Sequence, residues 1–214
     1  MRTRLLLALM VPALFAPLAA NAADLSAFQA VPTPIWGGAY LGGYGGISGA
    51  NGSNFGLQGE LAGGTVGYNW QNGAVVFGIE GDGGWAGMYG GIGCPLAPAI
   101  ACVADDDWLA SVRGRLGWTP TPSLLVYATV GGAFGNVRIT TNDAAFPGFS
   151  EDRVGWTAGA GFEWMFLPYW GFKTEYLHYD LGTFVCGVGA CAPSAVNLRY
   201  QVDTLKFGFN YHFY

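Results

Sequence analysis

The sequence is short of charge. Only 11% of its 214 residues are Asp, Glu, Lys or Arg, against roughly 25% in an ordinary soluble domain, too few to clothe a water-facing surface. Basic residues are scarcer than acidic ones, 9 against 14, which argues against nucleic acid as a partner. Histidine occurs only at His178 and His212. Long apolar runs are also missing: past residue 22 every window of eighteen residues holds a charge or a glycine or proline break, which excludes a spanning helix. What the chain has instead is 51% hydrophobic residues, 15% aromatics and 36 glycines, the last more than twice the usual ~7%. No Gly-X-Y period accompanies them, so collagen and disordered low-complexity chains are excluded as well.

Residues 1–22 read as a secretory signal peptide. Arg2 and Arg4 precede an apolar stretch over residues 5–18, and Ala20-Asn21-Ala22 forms a small-x-small cleavage site. Its removal takes the net charge from −5 to −7. Residues 23–35, polar and proline-containing, read as a short periplasmic tail, and residues 36–214 as one domain with no second domain expected after it. Export to an oxidising compartment makes Cys94, Cys102, Cys186 and Cys191 candidates for two disulfides. Of the three connectivities, Cys94 with Cys102 and Cys186 with Cys191 is preferred for its short loops. Zinc is disfavoured, because the spacings are not paired C-x-x-C and neither histidine falls in the same segments.

An exported, apolar chain without a spanning helix needs another way to meet lipid, and the pattern that recurs has period two. Leu205, Phe207, Phe209, Tyr211 and Phe213 alternate with Lys206, Gly208, Asn210 and His212, a strand with one greasy and one polar face. Val75, Phe77, Ile79 and Trp85 alternate with Gly78, Glu80 and Asp82, and Trp108, Val112, Leu116 and Trp118 alternate with Ser111, Arg113 and Arg115. Similar alternation marks residues 62–70, 124–134, 156–166 and 170–176, while the glycines of residues 36–47 leave that strand's facing ambiguous. Short turns at residues 71–73, 119–123 and 167–169 alternate with long connections at 48–56, 87–106, 138–152 and 182–199. Short and long connections around eight strands predict an all-β fold, an eight-stranded antiparallel up-and-down transmembrane β-barrel with short periplasmic turns. Only a closed barrel satisfies strand hydrogen bonds in hydrocarbon. Trp70, Trp118, Trp164, Trp170 and Phe213 collect where strands meet the short turns and are assigned to a periplasmic aromatic girdle. A lipocalin-type soluble barrel would put the apolar rows inside; the low total charge and the girdle favour apolar outside.

Several stretches resemble one family. Trp36-Gly-Gly-Ala-Tyr-Leu-Gly-Gly, Val66-Gly-Tyr-Asn-Trp-Gln, Val75-Val-Phe-Gly-Ile-Glu-Gly-Asp, Ser111-Val-Arg-Gly-Arg-Leu-Gly-Trp, Gly159-Ala-Gly-Phe-Glu-Trp, Lys173-Thr-Glu-Tyr-Leu and the last strand are similar to the small alphaproteobacterial "porin family" outer-membrane β-barrel proteins. The resemblance implies an outer-membrane location and a surface-antigen or envelope role, with haemin binding or adhesion in some members. It also implies recognition by the barrel-assembly machinery through the C-terminal strand, with Tyr214 one residue beyond the matching Phe213.

Eight charges share the inward parity: Glu80, Asp82, Arg113, Arg115, Glu163, Lys173, Glu175 and Lys206. An eight-stranded interior is just filled by side chains, so a paired, neutralised plug is favoured over a selective pore. A hairpin centred on Pro168 sets Glu163 opposite Lys173. No catalytic residue is assigned, since no His-Ser or His-Asp constellation is visible and His178 and His212 thread far apart. No cofactor or metal is assigned either. The long connections carry no histidine for a haem iron, Tyr89 reads equally as external girdle, and Asp105-Asp106-Asp107 reads as a solvated rim facing lipopolysaccharide-layer cations rather than a calcium loop. Expected partners are outer-membrane lipid and lipopolysaccharide, with a host or extracellular ligand at the loops.

Overall fold

The computed structural model of the protein describes residues 36–52, 55–93, 101–141, 149–186 and 196–213. They form eight strands: β1 (Gly38–Gly52), β2 (Phe55–Asn72), β3 (Val75–Gly93), β4 (Ala101–Thr121), β5 (Leu124–Thr141), β6 (Phe149–Met165), β7 (Trp170–Cys186) and β8 (Val196–Phe213). Each pairs antiparallel with the next, and β8 pairs with β1 to close the barrel. The signal peptide, the tail and Tyr214 lie outside the described residues.

Local chemistry sets the short turns. Gly73 has φ +59°, the left-handed backbone that a two-residue Gly-containing hairpin requires between β2 and β3. Between β6 and β7, the Trp170 amide donates to the Leu167 carbonyl at 3.3 Å. The opposite ends differ from expectation. Strand extends into all four long connections: β1 and β2 stay in register to Gly52 opposite Phe55, and β3 and β4 to Gly93 opposite Ala101. Above the lipid both faces of a hairpin tolerate small and polar residues, so the ladder continues where the alternation that advertises it stops. Register shifts between Trp85 and Met88 on β3 and between Asp180 and Thr183 on β7 mark where this change occurs.

The outer wall is apolar, with Val66, Phe77, Ile79, Val112, Leu116, Val130 and Phe209 all exposed. The interior has three layers. At the short-turn mouth Trp36, Val76, Leu125, Tyr127 and Met165 form an apolar cluster. Trp36, just ahead of β1, is fully buried; its amide donates to Gln71 Oε1 at 2.8 Å and its indole Nε1 to the Pro122 carbonyl at 3.1 Å. The middle layer is charged. Above it come Met88, Leu109, Ala133, Leu177, Leu181 and Val202, all buried.

Glycine makes room for the interior. The β1 strand whose facing the sequence left open turns Tyr40, Tyr44 and Ser48 inward and Leu41 and Ile47 outward. Tyr40 lies opposite Gly67 and Tyr44 opposite Gly63 on β2, and Tyr127 lies opposite Gly161 on β6. A Cβ on Gly67 would lie 2.3 Å from the Tyr40 Cζ and hydroxyl, and Cβ atoms on Gly63 and Gly161 would meet the Tyr44 and Tyr127 hydroxyls at 2.6 and 2.7 Å. Outward glycines have no such constraint. A Cβ on Gly114 would meet nothing nearer than the Val130 carbonyl at 3.8 Å, whereas one on inward Gly131 would sit 2.6 Å from the Arg113 Cα. Gly131→Ala is therefore expected to cost about 1–3 kcal/mol in urea unfolding, and Gly114→Ala less than about 0.5 kcal/mol.

Candidate functional site

The charged middle layer is built from the inward rows of β3, β4, β6, β7 and β8. Glu80, Asp82, Arg113, Arg115, Glu163, Lys173, Glu175 and Lys206 are all buried there, none more than 7% exposed. Arg113 Nη2 is a hub: it pairs with Glu80, lies 3.2 Å from Glu175 Oε2 and 3.8 Å from Asp82 Oδ1. Arg115 spans β4 to β6, with Nη2 2.8 Å from Glu163 Oε2, and its Nη1 is 3.6 Å from Glu80 Oε2. Lys173 Nζ reaches Glu80 Oε2 at 3.1 Å, and Lys206 pairs with Asp82. Four acids meet four bases. Glu163 faces Lys173 in the β6–β7 register, yet these two do not pair. Each reaches across the lumen instead, where opposite charge lies closer than along the wall.

Several participants were not assigned from the sequence. The Tyr40 hydroxyl donates to Glu80 Oε2 at 2.7 Å and accepts from Arg115 Nη1 at 3.1 Å. The Tyr127 hydroxyl donates to Glu175 Oε1 at 3.1 Å, its ring carrying the Arg115 guanidinium 3.6 Å above its centroid. Ser111 donates to Asp82, and Lys206 Nζ donates to the Tyr179 hydroxyl at 3.0 Å. Asn210 Nδ2 donates to Glu163 Oε1 at 2.8 Å. The available signal was parity alone: Asn210 and His212 share the inward row of Lys206, and Tyr40 and Tyr44 alternate with Gly42 and Gly46.

The sequence shows no His-Ser or His-Asp constellation, but the fold brings each histidine to an acid. His212 Nε2 lies 2.7 Å from Glu163 Oε1, and His178 Nδ1 lies 2.8 Å from Asp203 Oδ1. Spacing concealed both pairs because each joins different strands; His178 and Asp203 are register partners of β7 and β8. The first pair is sealed in the lumen. The second stands on the outer wall beside Tyr176, whose hydroxyl donates to the same Asp203 oxygen at 2.7 Å. Neither aligns a serine or cysteine on its histidine among the described residues, so the base-activated nucleophile of covalent catalysis is not assembled.

Trp70, Trp118, Trp164, Trp170 and Phe213 all point outward near the short turns. A second aromatic row went unassigned in the sequence: Trp85, Trp108, Phe134 and Trp156 are exposed on β3 to β6, eight to ten residues up their strands from the lower row or from the turn-side ends of β3 and β5, and Tyr176 continues it on β7, six residues above Trp170. Cys94 and Cys191 lie outside the described residues, and Cys102 and Cys186 are described only as backbone positions on β4 and β7, so the expected disulfides lie outside the described residues. The side chains of Tyr89, Asp105, Asp106 and Asp107 are likewise outside what is described.

A closed antiparallel barrel with an apolar wall, aromatic rows at two heights and charges turned inward is a membrane-spanning β-barrel. The chain belongs to the outer membrane protein beta-barrel domain family, whose sequence model matches residues 6–213. It is 35% identical over 165 residues to the 31 kDa outer-membrane immunogenic protein of Brucella melitensis, covering 72% of this chain and 67% of the relative. With the 25 kDa outer-membrane immunogenic protein of Brucella canis it shares 31% identity over 226 residues, covering 95% and 96%. The fold is similar to that of Neisserial surface protein A, with a TM-score of 0.55 at 10% identity over 82% of this chain and 97% of that one. The protein is an integral protein of the outer membrane.

Proposed function

We propose that this protein is a sealed barrel serving a structural and surface role in the envelope, rather than a channel or an enzyme. The observation that carries the reading is the layered interior. A neutral ion-pair network fills the middle of the lumen, and apolar side chains close it on both sides. An ion entering would have to part buried pairs whose separation leaves uncompensated charge. Strands β3 and β4, 19 and 21 residues long, outrun the about 9–11 residues that cross a bilayer. Their hairpin projects on the external side, where contact with an extracellular ligand or host surface would be made. Two relatives carry the word immunogenic in their names, which fits a surface-displayed role. The C-terminal strand, ending in aromatic Phe213, serves recognition by the barrel-assembly machinery in this reading.

Planar-bilayer recording on the refolded protein tests it. The expected result is no steady unitary conductance above the lipid background. A reproducible unitary step would replace the sealed scaffold with a small porin passing ions or small solutes.

A further inference from the structure

The upper aromatic row is incomplete. It runs over β3 to β7 and stops; at the same height β8, β1 and β2 carry Leu205 and Asp203, Ile47 and Gly49, and Glu60 and Gln58. In register these form two rows across the wall, Glu60–Ile47–Leu205–Tyr176 and Gln58–Gly49–Asp203–His178. With no side chain on Gly49, the wall is indented, and a groove of about 600 Å³ runs from Gln58 and Glu60 over Gly49 to Asp203 and Tyr176. Asp203 and Glu60 each stand ten residues above the lower aromatic row, at Phe213 and Trp70. At roughly 3.3 Å per residue and a tilt of about 40° that is about 25 Å, the upper edge of the apolar band.

The chemistry of the groove is ordered along the membrane normal. Its lower lip, Ile47 and Leu205, is apolar. The middle offers carboxylates and an amide, Glu60, Asp203 and Gln58, with Asp203 held by Tyr176 and His178 through Oδ1 alone. Above, Arg199 stands with its side chain 58% exposed, anchored to Asp180 at 2.6 Å. Acyl chain, hydroxyl and amide donors, then phosphate is the order in which an outer-leaflet glycolipid presents its own groups. The groove is continuous with the wall that lipid already covers, so a lipid is its natural occupant.

We infer that this groove is a specific seat for one lipopolysaccharide molecule. Its sugar hydroxyl and amide N–H groups donate to Glu60 and Asp203, its phosphate approaches Arg199, and an acyl chain lies over Gly49 between Ile47 and Leu205. Two strand spacings, about 10 Å, separate Glu60 on β2 from Asp203 on β8, so the single ammonium of phosphatidylethanolamine serves one carboxylate while a sugar headgroup carries donors to both, and that is the basis of selection over phospholipid.

The refolded full-length protein in detergent, with magnesium present, is titrated with purified lipopolysaccharide or with phosphatidylethanolamine, following the midpoint of heat-modifiable gel mobility. The expected result is saturable stabilisation by lipopolysaccharide only. Apparent affinity should fall at least tenfold in Gly49→Leu, which fills the groove, and in Glu60→Gln with Asp203→Asn, which removes its acceptors. Both changes lie on the outer wall, and heat modifiability reports the folded fraction of each variant before lipid is added. Equal stabilisation by phosphatidylethanolamine would make the groove a phospholipid contact. Undiminished lipopolysaccharide affinity in either folded variant would place the lipid elsewhere. Either outcome overturns the inference, and neither bears on conductance.

Discussion

Replacing Arg113 and Arg115 together by alanine is expected to give a barrel that loses most of its resistance to urea. The two guanidinium groups are the cationic partners of Glu80, Glu163 and Glu175, and Arg113 also faces Asp82. Without them four buried acids share Lys173 and Lys206. Glu163 keeps only Asn210 and His212 within 2.8 Å. Breaking a buried pair by removing one partner costs about 3–5 kcal/mol, against a total stability of about 5–15 kcal/mol for a typical domain, though the two losses share partners and need not add. The origin of the loss is checked by a compensating change: Arg115→Ala with Glu163→Gln should recover part of what Arg115→Ala alone loses, because the stranded charge goes too. A double-alanine variant that keeps its urea midpoint and gains conductance would mean that the interior is a wet pore rather than a neutralised core.

The second large effect belongs to Trp36. Trp36→Ala is expected to cost about 3–5 kcal/mol, the usual loss for emptying a buried aromatic site. The indole fills the short-turn mouth, packs edge-on against His212 at 5.6 Å and donates to the Pro122 carbonyl. Trp36→Phe should retain the packing and lose about 1 kcal/mol with the hydrogen bond. Both variants should stay non-conducting, since the ion-pair layer above remains intact. Conductance from Trp36→Ala alone would identify the indole as the only seal. Urea titration and bilayer recording on the same preparations separate these outcomes.

Much of this architecture is legible because lipid enforces it. Within the apolar band every second residue must be greasy, so β8 can be read from Leu205 to Phe213 without ambiguity. Strand β1 cannot, because its inward row is Tyr40, Gly42, Tyr44, Gly46 and Ser48 and its outward row contains Gly43 and Gly45; glycine on both faces erases the period. The extracellular extensions are hidden for the same reason, since water imposes no alternation there. The interior charges could be placed on a face but not paired. Pairing depends on which walls of a closed barrel lie opposite, and Lys173 of β7 meets Glu80 of β3 across 93 residues. The gap in the upper aromatic row is visible only once register sets Gln58, Gly49 and Asp203 side by side.

The cross-lumen pairing also bears on how such a barrel is made. Lys206 belongs to the last strand and its carboxylate, Asp82, to the third, while Glu80 of β3 waits for Lys173 of β7. A sheet that has formed β1 to β6 but not yet closed therefore holds Glu80 and Asp82 without two of their partners. Arrival of the final hairpin delivers both lysines at once, so neutralisation of the interior and closure of the β1–β8 seam are one event. Closure therefore takes Glu80 and Asp82 out of water and gives them their lysine partners in the same step.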